Sequence, residues 1–444
     1  MIHGHNDRSS ELRKWLYSLR ARGMRLGTEN ASRALELLGK PTEGMDIVHV
    51  AGTNGKGSVC AMITSILKAS GYTVGLYTSP HLIDLKERIT INNEMISESD
   101  LVYLIEDTKV RLEEKVDPPL KLTFFEFITA VAVRYFSMKK VDFLIAETGL
   151  GGRFDATNAF DPVLSVITRI GIDHTDQLGN TIESVASEKA GIMKKGTAIV
   201  SSAIEPAATE IIRETAKGLG SSIIEQGKDF RYSNVRCSID ETVFDYEGTR
   251  IVRDVRTNLI GCYQAENAAT AIAACDALSF LKGFEIDDRD ILKGLDKVNF
   301  HGRLEVVSKR PLTIVDCGHN PSAVKEMVDS LDRMDRTPDT IIFASSSDKD
   351  YKKVASILFP HAKRIILTRY GNERSADPRL LKPLAEELGK DTSMTDSVPE
   401  AINLARRITG GDETIIIAGS IFLVGEAISY LLKIGPADIE MAGF

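Results

Sequence analysis

Residues 47–58 read Ile47-Val48-His49-Val50-Ala51-Gly52-Thr53-Asn54-Gly55-Lys56-Gly57-Ser58, and an apolar helical pattern follows through Val59, Met62, Ile63, Ile66 and Leu67. A β-branched run, a glycine-rich turn and a helix in that order form a cradle for phosphate. The glycines let the backbone wrap an anion, the helix N-terminus presents free N–H groups, and Lys56 reaches the outer phosphates. The spacing departs from G-x-x-x-x-G-K-[ST]: Val50 stands where the first glycine belongs, and Gly57 separates Lys56 from Ser58. A plain glycine-rich turn carrying one lysine is the alternative reading, and the flanking strand and helix weigh against it.

Outward from this loop the chain alternates short β-rich runs with amphipathic stretches, the pattern of a mostly parallel α/β sheet. Strands are expected at Ile47–Ala51, Thr73–Tyr77, Phe143–Ala146, Val163–Thr168 and Ala198–Ser201. A second series is expected at Thr313–Val315, Thr340–Ala344, Arg364–Thr368 and Thr414–Ala418. Helices are expected at Gly57–Ala69, Phe124–Phe136, Gln264–Phe280 and Pro321–Arg333, with a β-rich insertion at Val235–Val255. The polar stretch Gly283–Asn299 separates the two series. This predicts a phosphate-binding domain over residues 1–298 and a smaller Rossmann-like α/β domain over residues 299–444, with a cleft between them.

Length and composition agree with that division. The chain has 444 residues, 43% hydrophobic and 27% charged, which is a globular balance large enough for more than one core. Its net charge of −8 comes without a basic block, so nucleic acid is excluded as a partner and a polyanion must be held locally. No apolar run of roughly 18 residues is present, so no membrane span is expected. The five cysteines form no CxxC pair, which argues against a disulfide framework and zinc, and suits a reducing cytoplasm. His3 and His5 read as part of a disordered tail.

Three further segments fall at the expected C-terminal ends of strands, where open α/β sheets bind ligands. They are Thr78-Ser79-Pro80-His81, Glu147-Thr148-Gly149-Leu150-Gly151-Gly152 and Asp173-His174-Thr175-Asp176. The hydroxyl of Ser79, the carboxylate of Glu147 and the imidazole of His174 beside a phosphate loop can hold one or two magnesium ions. Taken singly, Ser79 also reads as a cap, Glu147 as the partner of a lysine and His174 as a hydrogen-bonded strand-end histidine.

Together with Ser187-Glu188-Lys189-Ala190-Gly191-Ile192, Asn267-Ala268-Ala269-Thr270-Ala271, Gly302-Arg303, Asp316-Cys317-Gly318-His319-Asn320-Pro321, Asp348-Lys349-Asp350 and Gly419-Ser420, these motifs span nearly the whole chain. In that order they resemble the folylpolyglutamate synthase/dihydrofolate synthase family of the Mur ligase superfamily. The run Gly151-Gly152-Arg153-Phe154-Asp155-Ala156-Thr157-Asn158 is its most specific mark. The resemblance implies an ATP-dependent ligase that adds L-glutamate to dihydropteroate, tetrahydrofolate or both through an acyl phosphate, with ATP and magnesium as cofactors.

By the same resemblance, Gly52 to Ser58 hold ATP phosphates, Asn267 and Asp316 contact adenosine, and Arg303 reaches the phosphates from the second domain. Ser79, Glu147 and His174 bind magnesium, and Lys189 matches a lysine that is carbamylated to help place a second ion. His319 and Ser420 position glutamate. Arg153, Asp155 and Ala156 belong to the form seen where dihydropteroate is accepted, and Phe124 either stacks on a pterin or fills a helix core. The resemblance implies a cytoplasmic monomer acting on small molecules. Cys317, Gly318, Tyr263, His301 and the Ser345-Ser346-Ser347 run depart from the family pattern, which touches adenosine contacts and not the reaction class. A Mur-like ligase for another carboxylate, or a P-loop switch that only hydrolyses nucleotide, are the rivals. The second leaves Asp316, His319 and Ser420 without a role.

Overall fold

The computed structural model describes residues 3–23, 25 and 27–434. Eight strands form the first sheet: β1 (Asp46–Ala51), β2 (Val74–Tyr77), β3 (Ile89–Ile91), β4 (Glu94–Met95), β5 (Phe143–Glu147), β6 (Leu164–Ile167), β7 (Ala198–Ser201) and β8 (Ser222–Glu225). Their order is β4-β3-β2-β5-β1-β6-β7-β8, parallel except for the β3–β4 hairpin at one edge. β1 lies inside this sheet, and Ile47 to Ala51 are all buried, as a strand covered on both faces must be. Its exit carries the glycine-rich loop into the helix Lys56–Ala69.

The β-rich insertion is a three-stranded antiparallel sheet of β9 (Arg231–Cys237), β10 (Thr242–Glu247) and β11 (Ile251–Thr257). Phe244, Tyr246 and Val255 share one core with the alanine-rich helix Gln264–Lys282. The second large sheet contains β12 (Glu305–Lys309), β13 (Leu312–Asp316), β14 (Thr340–Phe343), β15 (Arg364–Leu367), β16 (Asp391–Met394) and β17 (Thr414–Ala418). It is ordered β12-β13-β17-β14-β15-β16, with only β12 antiparallel. The molecule is therefore a parallel-rich α/β domain followed by a second α/β domain.

Two sequence expectations are corrected. The segment read as a disordered tail begins a helix, His3–Ser18, although the side chains of His3 and His5 lie outside the described residues. Cys237 and Cys262 are joined by a disulfide, with Cα atoms 5.7 Å apart, because the end of β9 folds against the turn before Gln264. Cys60, Cys275 and Cys317 are free and buried. The polar stretch after Gly283 contains the helix Asp288–Leu295, which turns Ile291 and Leu295 inward. It packs so closely on the phosphate-loop helix that a Cβ on Gly294 would stand 2.6 Å from Ile66 Cα.

The two domains share apolar contacts, and Ile260 of the first belongs to a core cluster of the second. Leu82 and Ile83, on the loop after β2, belong to the core of the second domain beside Val315, Ile417 and Leu423. Among the described residues no helix is long and apolar enough to cross a membrane.

Candidate active site

Gly52 has φ +159° and Gly55 has φ +88°, and a Cβ on either would run into Thr168 Oγ1 or Asn267 Oδ1. The loop is thus glycine by steric necessity. Its far side is pinned by the segment leaving β6. Thr53 N–H donates to Arg169 O (2.9 Å), Thr53 Oγ1 to Gly171 O (2.8 Å) and Thr168 Oγ1 to Asn54 O (2.7 Å). Lys56 Nζ curls back onto the carbonyls of Gly52 (3.1 Å) and Thr53 (3.3 Å).

Around this loop lies a cavity of about 230 Å³ bounded by both domains. Gly52 to Ser58, Ser79, Glu147, His174 and Lys189 line it from the first domain and its loops. Asn267, at the head of its helix, lines it too, and Arg303, Asp316, His319 and Ser420 close it from the second domain. Register explains the convergence: Tyr77 pairs with Ala146 and Val50 with Glu147, so β2, β5 and β1 end at one rim.

Of the first-domain groups, Glu147 and Lys189 are buried, and Ser79 and His174 are half-buried. Ser79 N–H donates to Glu147 Oε2 at 3.2 Å, while Ser79 Oγ is buried without a hydrogen-bond partner. Burial pushes the Glu147 carboxyl up, against the pull of Lys56, the Ser79 amide, Arg303 and Arg88. His174, at φ +52°, caps the short helix Thr175–Leu178. Its Nε2 faces Lys349 Nζ at 3.3 Å. Burial first, then Lys349, His319 and Lys56, lower its pKa to about 4, opposed by Asp173. Lys189 Nζ donates to Gly52 O at 2.7 Å, and burial together with Lys56 lowers its pKa to about 7.

These groups suit a magnesium ion in part. An orphaned buried hydroxyl stands beside a buried carboxylate, and both are the hard oxygen donors that magnesium takes while keeping water and phosphate in its shell. Among the described residues no group of three or more His, Cys, Asp or Glu side chains is arranged to hold a metal, so the remaining ligands must come from elsewhere.

On the second domain, Asp316 ends β13 and accepts N–H bonds from Leu304 (2.9 Å) and Gly318 (2.7 Å). Arg303 lies over the Phe300 ring at 5.6 Å. Ser420 leaves β17 and caps the helix Ile421–Leu432 through Phe422 N–H (3.2 Å). His319 Nδ1 sits 3.1 Å from Cys317 O, and its Nε2 lies 3.6 Å from Asp173 Oδ2.

The acceptor-side expectations fare differently. Phe124, Arg153, Asp155 and Ala156 do not line the cavity. Thr123 and Glu126 form a capping box at the start of the helix Phe124–Lys139, which turns Phe124 into the core. There it stacks on Tyr17 at 5.6 Å with Arg20 and Arg88 at 5.0 and 5.4 Å from its centroid, so it is a core residue. Phe125 instead packs on Gly149 at the rim. Arg153 is exposed and binds Ser187 and Glu188. Asp155 braces the rim from behind, accepting from Leu150 N–H (2.9 Å) and Thr157 N–H (3.0 Å).

Sequence reasoning missed the polar groups that join the domains. Asp173 binds Lys349 Nζ (3.1 Å) and Asn320 Nδ2 (3.0 Å), and Asn54 Nδ2 binds Ser322 Oγ (2.8 Å). Burial opposes charge on Asp173, but His319, His174 and Lys349 outweigh it and hold its carboxyl well below the usual range. Arg169 grips both oxygens of Glu266 (3.0 and 2.7 Å) and also Glu326 of the second domain. Asp173 and Lys349 sat inside quoted motifs, so the signal was present without a partner to interpret it.

Residues 50–275 match the Mur ligase middle domain, and residues 302–421 match the Mur ligase glutamate ligase domain. The chain is 34% identical over 428 residues to the dihydrofolate synthase/folylpolyglutamate synthase of Bacillus subtilis, covering 94% of this chain and 97% of that one. It is also 34% identical over 418 residues to the probable bifunctional folylpolyglutamate synthase/dihydropteroate synthase of Haloferax volcanii. That match takes 93% of this chain and spans about half (49%) of the relative's length. The Mycobacterium tuberculosis folylpolyglutamate synthase solved in complex with ADP and AMPPCP superposes with a TM-score of 0.88 at 27% identity, covering 97% of this chain and all (100%) of that one. A phosphate loop, a buried hydroxyl–carboxylate pair and a second domain closing over both accompany these likenesses, and the chain belongs to the folylpolyglutamate synthase/dihydrofolate synthase family of Mur ligases.

Proposed function

We propose that the protein is an ATP-dependent carbon–nitrogen ligase that joins L-glutamate to dihydropteroate, tetrahydrofolate or both, working as a cytoplasmic monomer. The observation that carries this reading is a cavity of about 230 Å³ that Lys56, Ser79, Glu147, Arg303 and His319 all line.

An amine does not displace oxide from a carboxylate, so the carboxylate must first be given a leaving group. The acceptor carboxylate attacks the γ-phosphorus of ATP, the bond to the β-bridging oxygen breaks, and an acyl phosphate and ADP result. This step needs positioning and charge neutralisation. Gly52 to Ser58 and Lys56 hold the phosphates, Arg303 reaches them from the second domain, and Asn267 and Asp316 hold the nucleoside. Ser79, Glu147 and His174 are the residues that would hold magnesium, which when bound neutralises phosphate charge. His319 and Ser420 place the glutamate amine against the acyl carbon, and loss of phosphate leaves the amide. Lys349 and Asp173 hold the domains together over the site and keep water from the acyl phosphate.

Lys189 in this reading is carbamylated and becomes an anion beside Gly52. A buried amine with a pKa near 7 has the neutral fraction that reaction with carbon dioxide requires. A carbamate carbon signal after growth or equilibration with 13C-bicarbonate, lost in Lys189→Ala, tests it.

The ligase reading is tested by mass spectrometry of product formed from ATP, magnesium, glutamate and either acceptor. ADP release is expected to depend on acceptor and glutamate. Lys56→Ala and Glu147→Ala are each expected to abolish turnover while the protein stays folded. Full activity in both variants would overturn these roles.

A further inference from the structure

The disulfide between Cys237 and Cys262 sits where three parts of the molecule meet. Cys237 ends β9, an edge strand of the antiparallel insertion, and pairs in register with Thr242 on β10. The hairpin between the two strands turns at residues 238–241, with Ser238 N–H donating to Glu241 O (2.9 Å), and its Ile239 packs on a core of the second domain. Cys262 lies in the turn that starts the helix Gln264–Lys282. Its N–H donates to Ser330 Oγ (3.0 Å) on the second-domain helix Pro321–Arg333. The bond joins positions 25 residues apart, so it fastens the hairpin to the helix start at the edge of the second domain.

The residues that follow Cys262 face the main cavity, which Tyr263 and Asn267 line beside Asp316. Tyr263 Oη donates to Asp316 Oδ2 at 3.4 Å. Asn267 Nδ2 donates to Gln264 Oε1 (2.8 Å), and its Oδ1 stands where a Cβ on Gly55 of the phosphate loop would be. Ala265 N–H donates to Cys262 O and Asn267 N–H to Tyr263 O, both at 3.3 Å, so the first turn of the helix hangs from the cysteine. Both bonded cysteines are half-buried, and Arg236 and Ser238 on either side of Cys237 are exposed, so a small thiol or disulfide reaches the bond from solvent. Cys60, Cys275 and Cys317 are buried, and burial pushes their thiols up, to about 12 for Cys317. Exchange needs a thiolate, so these three stay out of it. In the cytoplasmic setting proposed above, where thiols are kept reduced, a lone accessible pair is of the kind that opens and closes.

Resting on the nucleotide role proposed for the main cavity, the geometry points to Cys237 and Cys262 as a reversible thiol–disulfide modification site, open to small-molecule disulfides, that sets nucleotide affinity. In closing, one cysteine thiolate attacks a sulfur of the small disulfide and expels a thiolate, leaving a mixed disulfide on the protein. The second cysteine then attacks the protein sulfur of that bond and expels the other half. The two cysteine thiols together give up two electrons, the small disulfide is reduced to two thiols, and the two cysteine protons end on those thiols. The closed form keeps Tyr263 on Asp316 and Asn267 beside Gly55, and binds nucleotide tightly. In the open form the helix start is released from the hairpin and binding weakens.

The test is calorimetry of AMPPCP binding to the whole protein with magnesium, after equilibration in reduced or in oxidised glutathione. Thiol alkylation and mass spectrometry report the state of Cys237 and Cys262 in the same samples. Opening the pair is expected to weaken AMPPCP binding about two- to tenfold, the span of one lost hydrogen bond. Cys237→Ser and Cys262→Ser should each bind at the weaker level under both conditions. Equal affinity of oxidised and reduced wild type overturns the proposal. So does a redox effect that persists in both variants, or alkylation that finds the pair in the same state under both conditions. Wild-type protein that binds no AMPPCP in either form removes the nucleotide reading and the switch with it, a result distinct from equal binding in both.

Discussion

His49 is the residue at which local chemistry and fold are most tightly tied. It sits inside β1, fully buried, with Nε2 2.8 Å from Thr157 Oγ1, and Thr157 in turn donates to Asp155 Oδ1 at 2.5 Å. The histidine is thus the inner end of a chain that braces the rim at Leu150. Burial, then Lys194, lowers its pKa to about 3. Its folded pKa lies below the unfolded value of 6.5, so below pH 6.5 the unfolded chain binds a proton the folded one refuses. Stability is expected to fall from pH 6.5 toward pH 3 on the order of 1 kcal/mol per unit from this group. Chemical denaturation at a series of pH values checks it: His49→Leu should flatten the slope over that window, whatever its stability at neutral pH. An unchanged slope would remove His49 from the account.

At the scale of elements, the helix Ile421–Leu432 is the piece most sensitive to volume. A Cβ on Gly425 would lie 2.3 Å from Leu82 O, the carbonyl of the loop that follows β2 and enters the second domain's core. Backbone cannot yield as a flexible side chain does. Gly425→Ala is therefore expected to destabilise the domain contact by about 1–3 kcal/mol and to displace Ser79, a few residues upstream on the same loop. Thermal melting together with a raised KM for ATP checks it; a melt and KM equal to wild type would refute it. Elements also show where sequence patterning runs out. Apart from β3, the interior strands of the two large sheets were legible because burial on two faces demands continuous apolar runs. β8, β12 and β16 went unread because edge strands with half-exposed or polar residues, such as Asp391-Thr392-Ser393-Met394, carry no such run.

At the scale of the molecule, polar contacts around the site add to the apolar ones that join the domains. Asp173 is the hub, meeting Lys349, His319 and Asn320 of the second domain. Asp173→Asn is expected to loosen closure, let water reach the acyl phosphate and release ADP without amide. The ratio of ADP to amide, near one in a coupled ligase, should climb severalfold, with the extra ADP still requiring the acceptor. A ratio that stays near one would show that closure does not depend on this carboxylate.

The sequence by itself determined the phosphate loop, the strand ends around it and the family. Those features are local: glycine conformations, helix starts and apolar runs are written in neighbouring residues. It did not determine which side of a helix Phe124 occupies, that Cys237 meets Cys262, or that Asp173 meets Lys349. Each of these joins positions from separate elements, and only tertiary packing, within the first domain or of one domain on the other, brings them within contact distance.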